Sequence, residues 1–474
     1  MLPIRRTYFT SRLPSLSLPL SDQISVGKFL QPTRRSCPRR NHILGGNFCR
    51  FAIRLKLYTA ANNDERINRK LMQTRYKEAS SNFDLIDVTI NDSQKIRLPS
   101  TGQYLSESIS KSLNKWKQNA HHEIRNLYKN SSVTDDFVVE TVRGVNQSLI
   151  GWYLQTYGMQ NTLALIEWFG VPFDSETQPT TPLRVENTAE AQKKLNQLLD
   201  GYDILEKKLH YKFNDKAYLL QSVTHESFDA NYLTPNYHGL DFVGDAILNY
   251  SIVRHLFRQP QYLDADRLQN VSSLLQSNSC LATVSLRHGI HKFIRYTTPT
   301  VRDNINSFTA FLRQNRFKPV NDLYFLDRKN YVFEVPPIIP SSFEALMGAI
   351  YFDSKMDLNV TSNTLLILMD WDIKNICKTN PQTAYVELNK LDSSAVFSDP
   401  VTVAPGKIQV SVTLPTFQNK RFNGFSRDAQ LAKWAAAKAA VIQLKKQNNV
   451  FIPIKHKDAF KEAKQQISFN EIEL

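Results

Sequence analysis

The chain has 474 residues, of which 42% are hydrophobic and 22% are charged, a composition typical of a folded protein with more than one domain. No uninterrupted apolar run of about 18 residues occurs, which argues against a spanning helix, and we expect no membrane association. The four cysteines are scattered and form no CxxC pair, which disfavours a disulfide scaffold and a cysteine zinc site. A reducing compartment is expected: the cytoplasm, with the mitochondrion as the alternative.

The formal net charge of +15 is concentrated in two blocks. Residues 1–60 contain eleven basic residues and one acidic residue, and residues 401–447 contain eight and one. The intervening residues 61–400 are nearly neutral, with 36 basic and 38 acidic residues. The first block is interpreted as a basic, disordered leader. Its composition also suits a mitochondrial presequence, although its prolines would interrupt the helix that such a signal needs.

Helical periodicity dominates the middle of the chain. Residues 104–171 end in apolar residues at helical spacing, such as Leu149 and Tyr153. Residues 172–200 are interpreted as a linker, since their first half is rich in proline and threonine. Residues 201–378 are again helical in pattern, interrupted by a polar insertion at about 296–340. The sequence therefore predicts a mainly α protein up to this point.

The pattern changes in residues 381–447. A helix around 382–391 is followed by a strand with period-2 alternation and then by an alanine-rich helix. The apolar face of that strand carries Ile408, Val410, Val412 and Leu414. We therefore predict a small α+β domain here, followed by a tail at 448–474.

Three carboxylates stand out as candidate metal ligands. Asp241 and Asp245 are spaced i, i+4 on a predicted helix, so they lie one above the other and repel each other unless a cation intervenes. Glu344 lies at the edge of a second apolar helix. Hard divalent cations such as Mg²⁺ prefer oxygen ligands of this kind. The alternative is that these acids only cover solvated helix faces, and their spacing does not separate the two interpretations.

Four runs around the candidate ligands are distinctive: His225-x-Ser227, LDFVGDAIL at 240–248, FEALMGAIYFD at 343–353 and EVP at 334–336. Together they resemble the ribonuclease III family, in particular the second nuclease domain of Dicer-like members. The resemblance covers about 201–447. It implies an all-helical ribonuclease III domain at 201–378 and a small α+β double-stranded RNA-binding domain at 381–447. It also implies that two nuclease domains pair to form a valley for double-stranded RNA.

The resemblance further implies cleavage of double-stranded RNA with Mg²⁺ or Mn²⁺ in small-RNA processing and gene silencing. Asp241, Asp245 and Glu344 would be the catalytic metal ligands. Ser341 stands where the family has a fourth acid, and Asp241 where glutamate is usual, so metal binding would be weakened. The alternative is a catalytically inactive ribonuclease-III-like structural protein that binds RNA, such as a component of the mitochondrial ribosome.

Two further regions acquire an interpretation from the resemblance. Residues 104–171 resemble a degenerate first ribonuclease III domain, with Gly144 and Gln147 where acids belong. The expected partner of 201–378 is this half, another ribonuclease III domain or a second copy in a homodimer. In the C-terminal domain, the resemblance assigns phosphate contacts to Lys433, Lys438 and Arg427. A solvated basic helix is the alternative.

Overall fold

The computed structural model describes residues 37–61, 63–81, 135–168, 185, 188–259, 263–314, 325–326, 332–379, 382 and 384–447. These residues form two compact units, one from residues 1–323 and 335–381 and the other from residues 324–334 and 382–474. Outside the described residues lie residues 1–36 of the predicted leader (1–60), residues 104–134 of the predicted degenerate first nuclease domain (104–171), and the predicted tail at 448–474.

The first unit is built from helices. They are α1 (Cys37–Ala60), α2 (Asn63–Ile67), α3 (Arg69–Ser81), α4 (Asp135–Trp168), α5 (Ala189–Leu198), α6 (Asp203–Leu209), α7 (Lys216–Val223), α8 (His238–Phe257), α9 (Ala265–Leu275), α10 (Asn278–Arg287), α11 (Pro299–Gln314), α12 (Ile338–Asp353) and α13 (Leu358–Thr379). A kink at Gly158 interrupts α4. No helix among the described residues is long and apolar enough to span a membrane. The predicted mainly α class is confirmed.

The centre of the first unit is the crossing of α8 and α12. Every residue of α12 is buried, which requires apolar neighbours on all of its faces. A Cβ atom at Gly244 would lie 1.9 Å from the Glu344 carbonyl oxygen, and one at Gly348 would lie 2.6 Å from that of Leu240. Only glycine permits this approach, because real Cβ atoms do not come so near to backbone oxygen. The crossing therefore holds the backbone of Glu344 against the helix that carries Asp241.

Helices α1 and α4 cross in the same way. A Cβ atom at Gly45 would lie 1.9 Å from the carbonyl oxygen of Gln147, and one at Gly151 would lie 1.9 Å from that of Asn41. Gly45 therefore corresponds to Gly244 of the α8–α12 pair, and Gly151 to Gly348. The first unit contains two helix pairs with one crossing geometry.

Helix α1 packs directly on the α8–α12 pair. The rings of Phe48 and Phe51 each lie 5.3 Å from the ring of Tyr250, and the ring of Tyr58 lies 5.1 Å from that of Phe352. The prediction of a disordered leader is therefore wrong for residues 37–60. The error arose because the basic residues were counted as a block, whereas the apolar residues between them form a buried helix face.

Two other segments predicted to be irregular are helical. Helix α5 lies within the predicted linker at 172–200. The Thr188 side chain caps α5 by accepting a hydrogen bond from the Ala191 amide at 3.2 Å, and Leu195 is buried against Leu220. Helix α11 lies within the predicted polar insertion and buries Phe308. In both cases polar residues cover the exposed face of an amphipathic helix.

The second unit is a small α+β domain. It contains strands β1 (Phe325–Leu326), β2 (Val332–Phe333), β3 (Val396–Phe397), β4 (Val401–Ala404), β5 (Lys407–Leu414) and β6 (Lys420–Ser426), and helices α14 (Ala384–Leu391) and α15 (Ala429–Gln447). Strand β5 pairs antiparallel with β6 along one edge, and with β3 and β4 along the other. The predicted order of helix, strands and helix is confirmed.

The alanine run of α15 explains how the helix packs on this sheet. Ala435, Ala436 and Ala437 are fully buried, and a Cβ atom at Gly424 of β6 would lie 2.2 Å from the Ala436 amide nitrogen. Small side chains on the helix and a glycine on the strand therefore let the two backbones approach closely. Leu388 of α14 and Val412 of β5 complete the core.

Candidate active site

The structure brings the three predicted carboxylates into one cluster at the crossing of α8 and α12. Asp241 lies in the first turn of α8 and is completely buried, and Glu344 of α12 is also buried. Asp245, one turn further along α8, remains one quarter exposed. The carboxyls of Asp241 and Glu344 interact with each other, and the charge of Asp245 raises the pKa of both. The expectation that Glu344 lies at a helix edge is corrected: it faces inward.

Burial controls the protonation of this cluster. It raises the pKa of the Asp241 carboxyl, and it raises the pKa of Glu344 well above the ordinary value, with the hydrogen bond to Asp241 and the Asp241 charge adding to the effect. Apart from this mutual hydrogen bond, the Asp241 oxygens have no hydrogen-bond partner among the described residues. Two buried carboxyls this close are costly when both are ionised, so the pair favours a shared proton or a cation beside Asp241.

Arg54 of α1 neutralises Asp245. Its guanidinium donates hydrogen bonds to the Asp245 carboxylate and, at 3.0 Å, to the carbonyl oxygen of Phe242. The same group lies 4.9 Å from the centroid of the Phe242 ring and 5.0 Å from that of Tyr76. The Arg54 side chain is only 10% exposed. Arg54 is therefore held in one position by contacts on several sides.

Arg69 of α3 supplies the second positive charge. Its Nη1 atom lies 3.2 Å from a carboxylate oxygen of Asp241, and its side chain is 48% exposed. Sequence reasoning missed both arginines. No local signal could have found them, because Arg54 lies 191 positions before the aspartate that it contacts.

The donor set suits one hard divalent cation between Asp241 and Glu344. Both carboxylates are buried and adjacent, and oxygen ligands are those that Mg²⁺ and Mn²⁺ prefer. Ser341, one turn before Glu344, is buried and offers a hydroxyl where a further carboxylate is expected. Among the described residues, no group of three or more His, Cys, Asp or Glu side chains is arranged as a metal site. Asp245 is engaged by Arg54 instead.

The α1–α4 pair has no matching acid cluster. The counterparts can be counted from the corresponding glycines of the two pairs. On α1, His42 and Gly46 occupy the positions of Asp241 and Asp245. On α4, Gly144 and Gln147 occupy the positions of Ser341 and Glu344. The His42 ring nitrogen Nδ1 lies 3.2 Å from the Gly144 carbonyl oxygen, and burial lowers the pKa of this histidine. None of these four positions carries a carboxylate.

The His-x-Ser pair holds the loop that leads into α8. Nδ1 of His225 lies 2.9 Å from the Ser227 hydroxyl, which also accepts a hydrogen bond at 3.1 Å from the amide of Thr297. The amide of Ser227 also donates to Nδ1 of His225 at 3.1 Å, so the pair stabilises this loop.

The three predicted RNA-binding residues lie on α15 or just before it. The ammonium group of Lys433 lies over the rings of Tyr385 and Phe397, 5.4 and 4.9 Å from their centroids. Lys438 is half-buried on the same helix. Arg427 is largely exposed, with its Nε atom 3.5 Å from Glu334. The described contacts leave the Arg427 charge accessible and fix the position of the Lys433 charge.

Comparisons with known proteins agree with this geometry. The ribonuclease III domain family model matches residues 238–355. Endoribonuclease Dcr-1 of Drosophila melanogaster is 32% identical over 358 residues, which cover 68% of this chain and 16% of that protein. Endoribonuclease Dicer of Gallus gallus is 32% identical over 267 residues, which cover 54% and 14%. The chain thus spans about a sixth of the length of these curated relatives.

Among solved structures, the nuclease domain of ribonuclease III from Campylobacter jejuni matches with a TM-score of 0.26 and 22% identity. The match covers 36% of this chain and 98% of that one. The family model and the buried acid cluster together define residues 238–355 as a ribonuclease III domain. The similarity to the Drosophila and chicken proteins makes it a Dicer-like ribonuclease III domain.

Proposed function

We propose that this chain is a Dicer-like endoribonuclease that hydrolyses phosphodiester bonds of double-stranded RNA with Mg²⁺ or Mn²⁺, in small-RNA processing in the cytoplasm. The observation that carries the proposal is the acid cluster in which the buried carboxyls of Asp241 and Glu344 contact each other beside the partly exposed Asp245. The ribonuclease III match over the same residues supports it.

Asp241 and Glu344 would hold the divalent ion. When bound, such an ion activates water and stabilises charge on the phosphate oxygens. The protein contributes a cluster closed to bulk water on the Asp241 side, where electrostatic interactions are strong. Arg54 contacts the partly exposed Asp245 carboxylate and fixes its position.

The proposed partner of this domain is the chain's own α1–α4 pair. Sequence reasoning expected a second copy, another nuclease domain or residues 104–171, whereas α1 supplies much of the surface that covers α8. The described residues of the two helix pairs contain one acid cluster, and we therefore propose that a single chain nicks one strand of a duplex.

The substitution Glu344→Gln tests the proposed cleavage. It keeps the shape of the side chain and removes its charge, so we expect cleavage of long duplex RNA in Mn²⁺ to fall by more than about 100-fold, since outer-shell changes alone cost about 10–100-fold. The measurement uses duplexes labelled on either strand, and the expected product is a nick. Asp370→Asn removes an exposed carboxylate of α13 and serves as the control. Equal cleavage by the Glu344 variant would refute the site.

A second candidate function is RNA binding without cleavage, as in a structural component of a ribonucleoprotein such as the mitochondrial ribosome. The ion pair of Arg54 with Asp245 and the hydroxyl of Ser341 favour it, because both reduce the number of carboxylates available to metal. Retained duplex binding with no cleavage at any Mn²⁺ concentration would support this function.

Lys433→Ala tests the RNA-binding surface. We expect weaker binding to duplexes of any sequence and a decrease of about one unit in the slope of log affinity against log salt, since one phosphate contact is lost. Lys445→Ala is the control, because Lys445 lies on the same helix as Lys433 and is paired with Glu387 of α14. Thermal unfolding of both variants checks that the loss of the ring contacts has not unfolded the domain. Unchanged affinity would place recognition elsewhere.

A further inference from the structure

Three carboxylates meet two guanidinium groups at the α8–α12 crossing. Arg54 contacts Asp245, and Arg69 contacts Asp241. Both arginines come from helices that precede the ribonuclease III domain in sequence, so the charge balance of the cluster is set from outside that domain.

The two arginines are held very differently. Arg54 is buried, bonded to a backbone carbonyl and placed against two aromatic rings, so its removal would disturb the packing of α1 on α8. Arg69 is half-exposed and stands at the first position of α3, beside Asp241. A half-exposed ion pair is weak enough for a divalent cation to replace.

Asp241 is the ligand for which the two kinds of cation would compete. Its carboxylate is fully buried, it shares a hydrogen bond with the Glu344 carboxyl, and one of its oxygens lies 3.2 Å from the Arg69 guanidinium. A divalent ion bound to that oxygen and a guanidinium beside it would repel each other. Binding of one therefore weakens binding of the other.

We infer that Arg54 and Arg69 are built-in counter-cations of the acid cluster: Arg54 permanently neutralises Asp245, and Arg69 competes with a divalent metal ion for Asp241. The inference rests on the proposed function, because it concerns the metal of that site. It makes the α3 segment a regulator of metal entry, and withdrawal of one side chain is sufficient to open the site.

The test measures Mn²⁺ binding to the full chain in the absence of RNA, by calorimetry and by the electron paramagnetic resonance signal of free Mn²⁺. We expect Arg69→Gln to bind Mn²⁺ about two- to fivefold more tightly than the wild type, the range that corresponds to a half-exposed ion pair. Lys70→Gln, which removes the same charge from the adjacent exposed residue, is the matched control for long-range electrostatics. Asp241→Asn should abolish the gain in the Arg69→Gln background.

Two outcomes would overturn the inference. If Arg69→Gln binds Mn²⁺ no more tightly than Lys70→Gln, Arg69 does not compete for the site. The proposed function is then tested only by the Glu344→Gln cleavage assay. If no variant binds Mn²⁺, the inference and the metal-dependent function fail together. A gain that persists with Asp241→Asn would also refute the assignment, since it would place the ion elsewhere.

Discussion

Gly244→Ala is expected to force α8 and α12 apart, to lower the free energy of unfolding and to abolish cleavage. The added methyl group would lie 1.9 Å from the Glu344 carbonyl oxygen, and backbone cannot move aside as a flexible side chain can. Overpacking of a core costs about 1–3 kcal/mol and sometimes more, and this contact with backbone belongs at the upper end. The free energy of unfolding, measured by chemical denaturation, should fall by about 3 kcal/mol.

Gly144→Ala is the matched control for this prediction. Gly144 also lies within a helix, but an added Cβ atom would lie 3.6 Å from the His42 ring, which is ordinary van der Waals contact. Because alanine is favoured over glycine in a helix by about 0.5–1 kcal/mol, this variant should be slightly more stable than the wild type. Equal destabilisation by both substitutions would contradict the role assigned to the Gly244 crossing.

The sequence predicted the α8–α12 pair well because its evidence is local. Long apolar runs surround Asp241 and Glu344, and each run contains a glycine where the helices cross. Gly45 of α1 also lies at a helix crossing, but its neighbours in sequence include arginines and it lacks the acidic pair of α8. The count of basic residues therefore led to the prediction of a leader where α1 forms.

The candidate site was predictable in its ligands and not in its electrostatics. Residue spacing placed Asp241 near Asp245, and the resemblance added Glu344. Whether a carboxylate is solvated depends on what packs above it, and here that is α1 and α3, which are distant in sequence. The alternative interpretation placed these acids on solvated helix faces, whereas burial raises the pKa of Asp241 and Glu344 and two arginines lie beside the acids.

These contacts give the cluster a consistent physical description. The protein itself neutralises part of the negative charge of this acid cluster. Arg54 neutralises Asp245, and Ser341 is uncharged where a fourth carboxylate is expected, so Asp241 and Glu344 are left to bind one cation. An added carboxylate should therefore increase the affinity for metal.

Ser341→Asp is expected to make the protein less stable without metal and more responsive to it. Position 341 is buried and lies one turn before Glu344, so the new carboxylate joins the cluster. An uncompensated buried charge costs about 3–5 kcal/mol, and we expect unfolding without metal to become easier by about 3 kcal/mol. Mn²⁺ at about 100 times its dissociation constant should return about 2.7 kcal/mol, and cleavage should become faster.

Ser342→Asp separates this effect from simple disruption of the core. Ser342 is also buried, but its hydroxyl donates to the Ser222 carbonyl oxygen at 3.2 Å, on a different face of α12. An aspartate there should lower the unfolding temperature with no recovery in Mn²⁺, because it does not face the acid cluster. If Mn²⁺ stabilises both variants equally, or neither, the carboxylate at 341 does not reach the ion. The departure of this chain from four acids would then not explain any weakness of its site, and the Arg54 contact with Asp245 would be the remaining cause.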